Sequence, residues 1–342
     1  MSFLTHLSEF CATQAPSDLL LQPGAPVHYF KHNRIGMEAG LIFPPESVPE
    51  FLALGGLTEW PRDRHLTLVL EGHRFRTCFY TAQGSQRAEA RLLPRDIPSV
   101  ESIRVPPAIV NAAVSSDHGL ILVCGQQGTG KSTTLAALLQ HISREGVHKD
   151  HHFYTVEDPI EFAFSSQFPL QFSQRALHED VESYATGLAT ALRAKATVVL
   201  VGEIREPESA LAAINTALTG NLVFATLHTG TVSLSIESLL RLIPESRIKS
   251  IQGLLAEVLR AVVCQRLVPG REGGQVAVHE VLMPNSEVEA AIKLGNFRGV
   301  GASLETGLNR GSMPFRLSLQ RAYEEGLITS RIRDEFTAYL KS

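Results

Sequence analysis

The chain has 342 residues, 44% of them hydrophobic, with a formal net charge of -4 and a pI near 6.4. That length exceeds the usual single domain and supplies more than one core. No basic block is present to follow a phosphate backbone, so nucleic acid is not the first partner to expect.

Four cysteines, Cys11, Cys78, Cys124 and Cys264, lie far apart without a C-x-x-C pair. They fit neither a disulfide framework nor a thiolate zinc site, and read as buried free thiols in a reducing compartment. The first residues carry no basic leader followed by an apolar segment, and no apolar run is long enough to span a bilayer. The expectation is a cytoplasmic protein that meets a membrane only through partners.

In chain order, the first hundred residues mix extended runs, HLTLVL at 65–70 and HRFRTCFY at 73–80, with turn-rich segments such as QPGAP. This predicts a small α+β domain over residues 1–100. The stretch 93–109, LPRDIPSVESIRVPPAI, holds four prolines and reads as a linker and the entry to a second domain. From residue 119 onward, extended runs (GLILVC, FYTV, TVVLVG, LVFATL, VAVHEV) alternate with helical stretches, and the last seventy residues read as a helical, Gly-punctuated C-terminal segment. The pattern predicts an α/β domain with a largely parallel sheet over residues 101–342. ESALAAINTALTG, behind Pro207, predicts a helix ending at Gly220. Ile248, Ile251, Leu254, Leu255, Val258, Leu259 and Val262 recur at helical spacing and predict one amphipathic helix across 246–267.

The chemistry concentrates at four places. GQQGTGKSTT comprises Gly125, Gln126, Gln127, Gly128, Thr129, Gly130, Lys131, Ser132, Thr133 and Thr134, and satisfies G-x-x-x-x-G-K-[ST] between a strand and a helix. There, backbone N–H groups face phosphates, Lys131 reaches the β- and γ-phosphates of ATP, and Ser132 ligates Mg2+. TVVLVGEIREPE places Glu203 at a strand end as a carboxylate that helps hold magnesium, directly or through water, with Gly202 where many phosphate-loop proteins have Asp. FYTVEDPIEF runs into Glu157, Asp158 and Glu161, candidates for a water-orienting base. In TGNLVFATLHTG, His228 closes a further apolar strand as a candidate γ-phosphate sensor.

Taken in this order, GQQGTGKSTT, TVEDPIEF, VVLVGEIRE and TGNLVFATLHTG resemble the Walker A, Asp-box, Walker B and His-box of the secretion ATPase superfamily that includes PilT and GspE. SDLLLQPGAPVHYF and HRFRTCF resemble its PAS-like N-terminal domain, and LRAVVCQRLVP with AVHEVL the segment after the His-box. The resemblance implies a RecA-like ATPase domain behind a smaller PAS-like one. It assigns Glu161 as general base, Glu203 as magnesium-side carboxylate and His228 as phosphate sensor. Arg76, Arg91 and Arg193 match arginines that neutralise phosphate charge.

The superfamily also implies a ring homo-hexamer with ATP between its two domains. It would work with a membrane-embedded secretion or pilus machine from the cytoplasmic face, without inserting into the membrane. Two positions depart from the pattern. Asn221 stands where a histidine commonly follows Thr-Gly, and LRAKATVVLVGE lacks the acidic-Asp-Pro that precedes the Walker B strand. The lysine after ALRA, the ALTG and the QRLVP look closer to DotB-like ATPases of type IVB secretion. Pilus retraction is the alternative, followed by a DNA-translocating motor or a non-hydrolysing nucleotide switch.

Overall fold

A computed structural model of the chain describes residues 2–31, 34–149, 151–164 and 171–340. The chain divides into two compact units, Met1–Asp96 and Ile97–Ser342. Among the described residues no helix is long and apolar enough to cross a membrane.

The first unit runs α1 (Phe3–Gln14), β1 (Asp18–Leu21), β2 (Pro26–Lys31), β3 (Arg34–Ile42), α2 (Val48–Ala53), β4 (Asp63–Leu70), β5 (His73–Ala82) and β6 (Ser85–Leu92). The Ser2 hydroxyl accepts from the Thr5 N–H and caps α1. The strands form one antiparallel sheet in the order β3-β2-β1-β6-β5-β4. Strand alternation sorts the side chains: Phe75, Thr77 and Phe79 are buried, whereas Arg74, Arg76 and Cys78 stand on the opposite face. The turns Glu71-Gly72 and Gln83-Gly84 have positive φ at all four residues. That matches the right-handed twist a two-residue hairpin requires. Phe43, Phe51, Phe79 and Leu19 fill the core beneath α1, and Phe3 of that helix stacks on Phe43 at 4.7 Å. Burying each such side chain stabilises the unit by about 1.5–3 kcal/mol.

The second unit runs α3 (Pro107–Ser115), β7 (Gly119–Cys124), α4 (Lys131–Arg144), β8 (Phe153–Glu157), β9 (Phe172–Ala176), α5 (Tyr184–Arg193), β10 (Val198–Val201), α6 (Pro207–Leu218) and β11 (Leu222–Leu227). It continues with α7 (Val232–Arg241), α8 (Ile248–Val258), β12 (Leu259–Pro269), β13 (Gln275–Leu282), α9 (Ser286–Leu294), α10 (Phe297–Thr306), α11 (Phe315–Glu324) and α12 (Ser330–Tyr339). Its sheet has the order β13-β12-β7-β11-β10-β8-β9, parallel throughout except for β13. Every residue of β7, β10 and β11 is buried. Helices cover both faces, which is why these strands read as unbroken apolar runs. α3 and α4 pack on one face, and α5 to α11 contribute to the other.

Two expectations are corrected. The helix expected across 246–267 ends at Val258, and LRAVVCQRLVP is β12. From Leu259 to Gln265 all residues but Arg260 are buried, a pattern of burial on both faces that no single-stripe helix gives. The proline-rich stretch passes into the second unit, where Val100 and Val105 are buried with Ile109 against α4. All four cysteines are free as expected, but Cys78 is only half-buried, since it faces outward on β5.

Candidate functional site

In a parallel sheet every strand delivers its following loop to one edge. Here β7, β8, β10 and β11 bring residues 125–130, 158–161, 202–205 and 228–230 to the carboxyl edge together.

The loop after β7 turns on Gly128 and Gly130, both in the left-handed region at φ 77° and 84°. The Thr134 N–H donates to Gly130 O as α4 begins, so the N–H groups of Lys131, Ser132 and Thr133 precede the first helical bond and face outward at a helix N-terminus. Lys131 Nζ donates to the carbonyl oxygens of Gly125 and Gln126 at 2.8 and 3.0 Å. Burial pushes its pKa down, and the charges of Glu203, Cys124 and Glu161 push it back up. Both candidate carboxylates therefore act on the loop lysine. A glycine cradle, an ammonium and a helix N-terminus suit a nucleoside triphosphate, and the oxygen donors of Ser132 and Glu203 suit a hard divalent cation.

Glu203 Oε1 is met by Arg205 Nε at 2.5 Å and by His228 Nε2 at 3.2 Å. Burial, followed by the charges of Asp158 and Glu203, raises the pKa of the Tyr184 phenol at the start of α5, so this tyrosine belongs to the same neighbourhood. The carboxylate sits at 203 rather than 202 for a steric reason. The Gly202 N–H donates to Val156 O, and a Cβ at 202 would lie 3.0 Å from that oxygen and 3.1 Å from Glu157 Cα. The backbones of β8 and β10 close up where an Asp side chain would have to emerge.

The acidic loop divides its labour. Glu157 Oε1 accepts from Thr155 Oγ1 at 2.6 Å and from Gln174 Nε2 at 3.2 Å, which makes it a held, structural carboxylate. Beyond the cis bond Asp158–Pro159, Gln174 also bonds Phe162 O and the Phe164 N–H, fixing the chain directly after Glu161. His228 is framed by Thr226, which donates to Gly202 O, and by Thr229, which bonds Ser235 Oγ. The helix after it, α7, is anchored at Val232 N–H by the buried Glu280 of β13. Burial raises the Glu280 pKa, against the lowering effects of that N–H and of Arg266.

Two residues singled out in the sequence lie away from the phosphate side of their own unit. Arg193 is exposed on the last turn of α5, which leads into β10, so it lies at the amino edge, opposite the phosphate loop of its own unit. Asn221 lies at the same edge just before β11, where its Nδ2 donates to Ala196 O. It ties two loops together, and its replacing a histidine leaves no gap at the phosphate side. Arg76 and Arg91 belong to the first unit, opposite one another on β5 and β6, with Arg91 Nε donating to Asp18 at 2.8 Å. Such exposed pairs contribute at most about 1 kcal/mol. Arg205, Tyr184, Gln174, Glu280 and Gln265 carry no motif of their own. Only Arg205 is signalled in sequence, by standing two residues after Glu203.

A phosphate loop, a carboxylate at the neighbouring strand end and a parallel sheet covered on both faces define a nucleotide-binding α/β protein of the P-loop class. The chain belongs to the Type II/IV secretion system protein family, whose model matches residues 89–281. It is 36% identical to the twitching motility protein of Neisseria gonorrhoeae over 75% of this chain and 67% of that one. It is 33% identical to the uncharacterized protein YggR of Escherichia coli over 91% of this chain and 95% of that one. Among solved structures, the pilus retraction motor PilT with bound ADP superposes with a TM-score of 0.86 at 29% identity, over 98% of this chain and 96% of that one. The Legionella pneumophila ATPase DotB superposes at 0.77 and 23% identity, over 98% and 95%.

Proposed function

We propose that this chain is a ring motor of the pilus-retraction kind, in which six copies hydrolyse ATP and perform mechanical work on a membrane-embedded machine from its cytoplasmic face. The chain is an ATPase of its family. What carries the reading is that parallel strands deliver the Lys131 loop, the loop bearing Glu161, Glu203 and His228 to one sheet edge, where His228 meets Glu203 at 3.2 Å. Relatives named for twitching motility and pilus retraction favour the pilus over type IVB secretion, because the likeness to DotB is one of fold alone.

In this reading Lys131 and the N–H groups at the start of α4 hold the β- and γ-phosphates and neutralise charge as the bond to the γ-phosphorus breaks. Ser132 and Glu203 are the protein oxygens for magnesium, which when bound would screen the phosphate charge. Glu161 orients the attacking water and takes its proton. His228 holds the Glu203 carboxylate through Oε1 and reports, along β11, whether the phosphate side is filled. The non-hydrolysing switch loses its motive, because Asn221 lies at the opposite edge from the loop.

Phosphate release with Mg2+ and ATP tests this. Lys131→Ala abolishes it and Glu203→Gln lowers it steeply, and wild-type rates in either variant refute the assignment. Pilus and secretion readings separate in a strain lacking the protein: the first predicts lost twitching, the second intact twitching with lost effector transfer.

A further inference from the structure

Gln265 lies on β12, far along the chain from the phosphate loop, yet its side chain bonds that loop and the helix that follows it. Its side-chain Nε2 donates to Thr129 O at 2.6 Å, and its Oε1 accepts from Thr134 Oγ1 at 2.7 Å. Its main-chain oxygen would lie 2.6 Å from a Cβ at Gly125, and its Nε2 would lie 2.9 Å from a Cβ at Gly130. Gln265 thus occupies the space that a side chain at either motif glycine would need. Gln265 is 4% exposed and Thr134 is 2% exposed, so neither finds water as a substitute partner.

A carboxamide is suited to this place because it offers a donor and an acceptor at fixed separation. Glutamate would set a carboxylate oxygen against Thr129 O, and an apolar side chain would leave a carbonyl and a hydroxyl unpaired. The next residue on the strand, Arg266, has its guanidinium over the rings of Phe315 and Tyr339 at 5.4 and 5.1 Å. The strand that holds the loop thus also meets α11 and α12, through Arg266.

We propose that Gln265 is a positioning residue for nucleotide binding: it clamps the backbone at Thr129 and the side chain of Thr134, so that the loop N–H groups are aimed before the phosphates arrive. This rests on the nucleotide-binding reading above. A preorganised loop binds more tightly because less ordering is left to do on binding, so the clamp is read in affinity more than in the chemical step.

The test is the dissociation constant of a fluorescent ADP analogue for the full chain, with melting curves to show that each variant is folded at the assay temperature. The variants are Lys131→Ala, Gln265→Met, Gln265→Glu and Thr134→Val. Loss of the clamp in Gln265→Met weakens binding about tenfold or more, and KM for ATP rises more than kcat falls. Thr134→Val, which breaks one bond, weakens it about two- to fivefold. The double variant binds no more weakly than Gln265→Met alone. A folded Gln265→Met that binds within about twofold of wild type overturns the proposal. Should that variant fail to fold, wild-type affinity in both Gln265→Glu and Thr134→Val overturns it. Wild type without Lys131-dependent binding refutes the nucleotide reading first, and this inference with it.

Discussion

His228 and Glu203 close neighbouring strands of the sheet, and their side chains meet there, His228 Nε2 lying 3.2 Å from Glu203 Oε1. The two strands are held in register by the ladder from Val198↔Leu222 to Val201↔Ala225, so a shift of β11 is felt at the carboxylate.

That contact predicts coupled kinetics. Glu203→Gln lowers kcat by about 10²–10³-fold, the range for loss of one transition-state contact. His228→Ala lowers it less, and the double variant is no worse than Glu203→Gln, because the histidine acts through the carboxylate. Full additivity in steady-state phosphate release would show that the two work independently.

Asn221 gives the opposite signature. Asn221→Ala leaves the buried Ala196 carbonyl unpaired and lowers unfolding stability by about 1–3 kcal/mol. Its turnover stays within about twofold of wild type below the melting range, since this edge is away from the phosphates. Urea unfolding and phosphate release on the same preparation check both halves.

Acid lability has a named contributor in His279, which is 3% exposed and whose Nε2 is buried without a hydrogen-bond partner. Burial, with a smaller contribution from Arg104, pushes its pKa down to about 4. Unfolded, it titrates near 6.5, so between those values the unfolded chain binds more protons and stability falls as pH falls. The effect is absent above about pH 7 and approaches about 3 kcal/mol near pH 4. His279→Gln flattens this part of a stability-versus-pH curve measured by urea unfolding, and an unchanged curve would remove His279 as the cause.

Arg193, placed at the amino edge, is dispensable for binding within one chain. Arg193→Ala keeps ADP affinity within about twofold of wild type in titrations at a protein concentration too low for assembly.

Much of this was legible because motif and strand pattern coincide. GLILVC followed by GQQGTGKS announces strand, loop and helix, and the acidic and histidine-bearing loops each follow an apolar run that is a buried parallel strand. What was hidden depends on distance in sequence. Gln265, Glu280 and Gln174 reach the site only because β12, β13 and β9 lie where the sheet order puts them, and a single Gln or Glu carries no local signal of that. The helix expected through 267 failed because Val262 continues the three- and four-residue spacing of α8 after the chain has become a strand. The edge on which Arg193 falls was not legible either, because a charged residue on a helix says nothing by itself about which end of the sheet that turn faces.

The measurement closest to the central claim is magnesium-dependent phosphate release by wild type and Glu161→Gln, with light scattering on the same samples with and without ATP. Turnover that Glu161→Gln removes, in particles of about six chains' mass, is the result expected of a ring motor. Nucleotide bound without turnover, or full turnover in a monomer, would contradict it.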